Sequence, residues 1–116
     1  MTLREEQSLF IKLLSQLINK IYEEGYESTG GDLWSKPEYK AHRKNSCHYI
    51  RLAIDLNLFK DGAYLMDSMA HKPFGEFWES LHPDCRWGGN WDKDNNPFEF
   101  GENDGNHYSL EHEGRA

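Results

Sequence analysis

The sequence predicts one α+β domain, in which a small antiparallel sheet is packed with about three helices. Three observations lead there. An apolar stripe of helical period runs through the first two dozen residues. A branched apolar stretch beyond residue 46 ends in a turn of hairpin type, and short alternating segments follow it. At 116 residues the chain suits one modest core. Hydrophobic content is only 37 %, but four Trp, six Tyr and six Phe add bulky apolar area. No internal repeat and no linker divides it, so residues 1–116 are read as a single domain.

The first element is the clearest. Leu9, Phe10, Leu13, Leu14, Leu17, Ile18 and Ile21 recur at spacings of three and four, which predicts an amphipathic helix from Leu3 to about Glu24. Thr2 with Glu5 matches a capping box, and Gly25 is a natural stop. Its polar face mixes both charge signs, which favours core packing over membrane binding. After Gly30-Gly31-Asp32, Leu33-Trp34 reads as a short strand. Ser35 with Pro37 opens a short helix to about Arg43. Ser46 to Leu56 reads as the central strand. Lys60-Asp61-Gly62 turns it into Ala63-Tyr64-Leu65-Met66, a β-hairpin. Pro73 to Leu81 is a helix with Phe74, Phe77, Trp78 and Leu81 on one face, ended by His82-Pro83. Trp87-Gly88-Gly89-Asn90-Trp91 is too glycine-rich for regular structure and marks a close backbone approach. Phe98-Glu99-Phe100 and His107-Tyr108-Ser109-Leu110 alternate as short strands.

A net charge of −7 argues against broad nucleic-acid binding and against docking on anionic lipid, both of which need a basic footprint. No segment approaches the length of a membrane span, and the N-terminus opens on charged residues rather than a signal peptide, so synthesis in a cytoplasm is expected. Cys47 and Cys85 are too few for a disulfide framework and are read as thiols.

Chemistry concentrates around Ser46-Cys47-His48 and Asp55. Asp55 is set among Ala53, Ile54, Leu56 and Leu58, where a carboxylate is costly to bury unless it is paired or binds a metal. Downstream, Asp104-Gly105-Asn106-His107 adds a second carboxylate and a second imidazole. Two histidines and one aspartate suit a divalent ion such as zinc and leave a position for water, with the remaining carboxylate available as a base. His42, His71 and His82 stand beside turns or helix ends, where a solvated surface role is the expectation; His112 is the rival ligand. Cys47, next to His48 on a strand, would point away from it. Trp87 and Trp91 read equally as core or as walls of a substrate groove.

The ordered set Ser46-x-His48, Ala53-x-Asp55-Leu56, Trp87-Gly88-Gly89 and Asp104-x-x-His107 resembles the zinc peptidases that cut peptidoglycan stem peptides. That group includes D-Ala-D-Ala carboxypeptidases and phage L-Ala-D-Glu endopeptidases, and its fold is shared with the hedgehog signalling domain. Leu52-Ala53-Ile54-Asp55-Leu56-Asn57-Leu58-Phe59 and Phe77-Trp78-Glu79-Ser80-Leu81 look most like the small phage endolysins. The resemblance implies zinc held by His48, Asp55 and His107, with Asp104 as catalytic acid/base and Glu102 as the next carboxylate upstream. Ser46 and Trp87 become substrate contacts. Relatives carry an arginine that polarises the scissile carbonyl; here Trp34-Ser35-Lys36-Pro37-Glu38 has none, and Lys36 or Arg43 is left to replace it. The frequent glycine between histidine and aspartate is Arg51 in this chain. The partner implied is the stem peptide of a periplasmic wall, met by a monomer. The alternative is a non-catalytic, zinc-stabilised module that binds muropeptides or a protein.

Asp92-Lys93-Asp94-Asn95-Asn96-Pro97-Phe98-Glu99 places oxygen ligands like the first half of a calcium loop. Pro97 stands where such a loop needs glycine, and Asn103 where it needs the closing glutamate. A solvated acidic loop is therefore favoured over a calcium site.

Overall fold

Helix α1, Leu3–Glu23, begins where Thr2 accepts a hydrogen bond from the Glu5 amide and Glu5 reaches back to the Thr2 amide, the capping box expected there. Gly25 follows the cap at φ +86°, a conformation glycine adopts without strain. The helix buries Phe10, Leu13, Leu14, Leu17 and Ile21. Ile18, expected on the same face, is 36 % exposed. At 100° per residue it lies on the flank of the stripe rather than at its centre. A computed structural model describes residues 1–34, 46–90 and 104–116. The helix expected up to Arg43, including Lys36 and His42, lies outside the described residues. So do Trp91, the Asp92–Glu99 stretch read against calcium, Phe98–Phe100 and Glu102.

The sheet is antiparallel throughout. It comprises β1 (Glu27–Gly30), β2 (Ala53–Lys60), β3 (Ala63–Leu65), β4 (Cys85–Trp87) and β5 (His107–Leu110). Its order is β1-β2-β5-β4, with β3 pairing β2. The β2–β3 hairpin turns at Lys60-Asp61-Gly62 as expected, with Asp61 and Gly62 both at positive φ. Leu33-Trp34 is not a strand. The edge strand lies earlier, at Glu27–Gly30, in a polar sequence with no apolar alternation to announce it. Trp34 instead stacks its exposed ring against the Arg51 guanidinium, 4.7 Å away.

The central strand is also shorter than its sequence suggests. Ser46 caps a 3₁₀ turn, Cys47–Ile50, that ends with Arg51 in the left-handed region at φ 59°. Only then does β2 begin. A single strand could not have united His48 with Asp55. Seven residues is an odd separation, so their side chains would point to opposite faces about 23 Å apart. The turn removes both obstacles.

Along β2, Ile54, Leu56 and Leu58 face the core, while Asp55 and Asn57 face the other way. Helix α2, Lys72–Leu81, adds Phe74 and Trp78, with Phe77 and Leu81 packed at the margin. Trp78 meets Phe10 edge-on at 5.7 Å and donates its indole N–H to the Ser109 carbonyl at 3.0 Å, joining both helices to β5. Cys47 and Cys85 are buried, and neither is in a disulfide. Burial, with Asp84 and Glu79 nearby, pushes the Cys85 thiol up to about 12, so it behaves as a small hydrophobe.

His71, expected at the solvated surface, is only 2 % exposed. It ends a second 3₁₀ turn, Ser68–His71, and its Nδ1 lies 2.7 Å from the hydroxyl of the buried Tyr108. Burial lowers its pKa from 6.5 to about 4, so the folded protein holds this imidazole neutral. Between those values the unfolded chain binds a proton that the folded chain refuses. The contribution is therefore intact above pH 6.5 and is lost as pH falls towards 4. His71 alone should cost about 2 kcal/mol of stability between pH 7 and pH 5. Urea denaturation at the two pH values checks this: His71→Gln, which keeps a partner for Tyr108, should show a correspondingly flatter dependence. An unchanged slope would contradict it.

Candidate metal centre

The β2–β5 pairing sets Asp55 directly opposite His107. Residues opposite one another in an antiparallel pair project to the same face. The pairing therefore brings a carboxylate and an imidazole together on the side of the sheet away from the core. His48 reaches them from the 3₁₀ turn, whose backbone is fixed at both ends. The Ser46 hydroxyl accepts from the His48 amide at 3.2 Å, and the Leu52 amide donates to the Cys47 carbonyl at 2.9 Å. The C-terminal hairpin, closed where His112 and Arg115 pair in an isolated bridge, braces the same turn. Arg115 donates to the Ser46 carbonyl at 3.3 Å and the Cys47 amide to the Ala116 carbonyl at 3.2 Å.

Three donor atoms converge. His48 Nε2 is 3.1 Å from Asp55 Oδ1 and 3.2 Å from His107 Nδ1, and the third edge, His107 Nδ1 to Asp55 Oδ1, is 3.6 Å. Bonds of 2.0–2.1 Å to a tetrahedral ion would place neighbouring donors about 3.3–3.4 Å apart. The triangle fits a divalent metal with little adjustment, and it is the one group of potential ligands that meets among the described residues. The imidazoles are sealed, at 1 % and 4 % side-chain exposure, while Asp55 at 20 % leaves one side accessible.

Burial alone would raise the Asp55 pKa. The polar, partly positive imidazoles of His107 and His48, 3.6 Å and 3.1 Å away, outweigh it and hold the carboxyl well below the usual carboxylate range. The group is thus an anion at neutral pH, as a metal ligand must be. Asp104 differs. Its Oδ2 lies 4.0 Å from His107 Nδ1, beyond hydrogen-bond reach, and its side chain is half exposed. It stands at the rim, beside the triangle without joining it.

Close packing holds this rim. A Cβ on Gly88 would sit 2.0 Å from the Asp104 carbonyl oxygen and 2.9 Å from His107 Cβ, so no side chain is tolerated there. The Gly88 amide donates to the His107 carbonyl at 2.9 Å. This is the close approach that the Trp87-Gly88-Gly89 run announces. Trp87 itself is fully buried in strand β4 and donates its indole N–H to the Gly105 carbonyl at 2.6 Å, so of its two readings the core one holds. Ser46, at 3 % exposure, acts through the backbone of the turn rather than as an exposed contact. His112 binds Glu6 of α1 and takes no part in the triangle. The bracing roles of Arg115 and of the C-terminal hairpin escape sequence reasoning. Their partners are 69 residues away and are backbone groups, which no motif encodes.

No family model matches the chain, and neither a curated relative nor a solved structure matches it.

His48→Ala and His107→Ala should each abolish stoichiometric metal binding, read by cobalt(II) absorption and elemental analysis, while Asp104→Asn binds as wild type. Full metal content in both histidine variants would place the site elsewhere. Gly88→Ala should weaken the metal by roughly 10–100-fold, the range of changes that displace ligands from outside the coordination shell. Unchanged affinity would mean that the rim is not held by this contact.

Proposed function

We propose that the chain is a zinc-dependent peptidase of the hedgehog and D-Ala-D-Ala peptidase type, acting on peptidoglycan stem peptides in the manner of a phage endolysin. One observation carries the reading: two imidazoles and one carboxylate at tetrahedral spacing, with a second carboxylate, Asp104, beside them but outside the triangle. The ordered sequence resemblance supplies the substrate class. Zinc is favoured among divalent ions by the mixed nitrogen and oxygen donors.

A zinc ion bound here supplies Lewis acidity towards a scissile carbonyl and brings the pKa of water down to about 7. The chain's own residues do the rest. His48, Asp55 and His107 fix the position of the reacting centre, and the exposed side of Asp55 leaves it open to substrate. Asp104 takes a proton from the attacking water as its oxygen bonds to the carbonyl carbon. It then hands that proton to the amine nitrogen as the C–N bond breaks. Its half-exposed carboxylate can meet both groups without being drawn into the ligand set.

A second reading, a zinc-stabilised binding module without catalysis, is favoured by the placement of the arginines. Arg51 stacks on Trp34, Arg86 pairs with Glu111 at 3.0 Å and Arg115 holds the Ser46 carbonyl, so none of these three is directed at the carbonyl of a substrate.

The two readings separate in one assay. The zinc-loaded protein should release new amino termini from purified peptidoglycan. Asp104→Asn should keep its metal and fold yet lose roughly 10²–10⁴-fold in rate, the worth of general acid–base catalysis. No release by the wild type would leave the binding module, and wild-type speed in Asp104→Asn would remove the role of Asp104.

A further inference from the structure

On the flank of the metal centre, a cavity of about 120 Å³ opens between β3, the second 3₁₀ turn and the Gly105-Asn106 segment that separates Asp104 from His107. It has room for a small organic group rather than a single water. Tyr64 and Met66, 51 % and 84 % exposed, stand among its walls and leave it reachable from solvent.

Its polar lining includes two well-placed donors. Tyr108 is fully buried, and the only hydrogen-bond partner of its hydroxyl among the described residues is His71 Nδ1. If Nδ1 carried the proton, the Tyr108 hydroxyl hydrogen would be sealed in the core with no acceptor, a cost of about 1–3 kcal/mol. The hydroxyl therefore donates to Nδ1, and the ring proton of neutral His71 sits on Nε2. Nε2 has no partner among the described residues, and His71 lines the cavity although it is 2 % exposed. Ser68 adds a second donor. Its Oγ accepts from the Gly105 amide at 3.0 Å, which leaves its own hydroxyl hydrogen to point elsewhere. Asn106 stands on the same wall. No described lining residue carries a formal charge, and Asp104 lies one residue from Gly105. A divalent ion at the neighbouring centre is balanced by Asp55 and Asp104, so an anionic oxygen would enter without a net counter-charge, which is costly. A neutral carbonyl oxygen meets the same donors without that penalty.

We infer that this cavity is a substrate subsite for a neutral amide carbonyl, read by His71 Nε2–H and the Ser68 hydroxyl, so that the peptide continues past the cleaved bond as an amide rather than ending there in a carboxylate. The inference rests on the peptidase reading and makes it an endopeptidase rather than a carboxypeptidase.

The test has two arms on zinc-loaded full-length protein. In the first, imidazole ¹⁵N spectra follow His71 during titration with millimolar N-acetylglycinamide and, separately, acetate. The Nε2–H tautomer is expected in the free protein, with a saturable shift on adding the amide and none with acetate. His71→Gln, which retains a partner for Tyr108, should weaken amide binding by roughly three- to tenfold, as one neutral hydrogen bond is worth. A proton on Nδ1, no shift with the amide, or a larger shift with acetate would overturn the subsite. In the second arm, a stem peptide with an internal scissile bond is compared with one cleaved to release a terminal residue. Faster turnover of the internal bond supports the assignment, and faster release of a terminal free amino acid overturns it. Amide binding that persists with neither peptide cleaved would refute the peptidase reading and with it the endopeptidase assignment, while keeping the carbonyl subsite.

Discussion

The site depends on one register, the pairing of β2 with β5 that sets Asp55 opposite His107 and Ile54 opposite Tyr108. The two pairs alternate, so the core fixes the site. Tyr108, Ile54, Leu56 and Leu110 are all buried on one face. A slip by one residue would expose that set and turn Asp55 inward. The hydrophobic cost of such a slip is what keeps a carboxylate and an imidazole facing each other. His48 depends on the same frame at one remove, since the backbone of its turn is tied to the C-terminal residues and to Leu52, just before β2.

Within that frame two carboxylates acquire different characters from their surroundings. Asp55 is desolvated yet held as an anion by two imidazoles, which suits permanent ligation. Asp104 stays half exposed at the rim, held to the centre by the short Gly105-Asn106 link and by the His107 amide donating to its carbonyl at 3.0 Å. The strand that carries His107 also carries Tyr108 on its other face. The candidate ligand His107 and the partner of the His71 ring are thus neighbouring residues of a single strand. Substrate recognition and metal placement would then share one rigid element, as precise sites require.

Much of this was legible in the sequence, and the failures have physical causes. The long helix with its capping box, the hairpin at Asp61-Gly62, the helix ending at Leu81 and the strand at His107 all carry strong local signals: period, cap residues and turn residues. The members of the His48, Asp55 and His107 cluster were legible as residue types in order. The 3₁₀ turn was not, because Tyr49, Ile50 and Leu52 look like strand, and only the odd spacing from His48 to Asp55 argues against one. Strand β1 was missed because Glu27-Ser28-Thr29-Gly30 is an edge with little to bury. His71 was misjudged because its burial comes from Tyr108, 37 residues on. Trp87 was open between core and groove until the fold placed Gly75 and Gly89 against its ring.

The central claim is that His48, Asp55 and His107 together hold zinc. X-ray absorption at the zinc edge of the loaded protein tests it most directly, since nitrogen and oxygen ligands lie at about 2.0–2.2 Å and sulfur at about 2.3 Å. The expected spectrum has a four-coordinate shell of nitrogen and oxygen only, with the outer scattering of two imidazoles. A sulfur scatterer, which would bring in Cys47 or Cys85, or the signature of fewer than two imidazoles, would contradict the account.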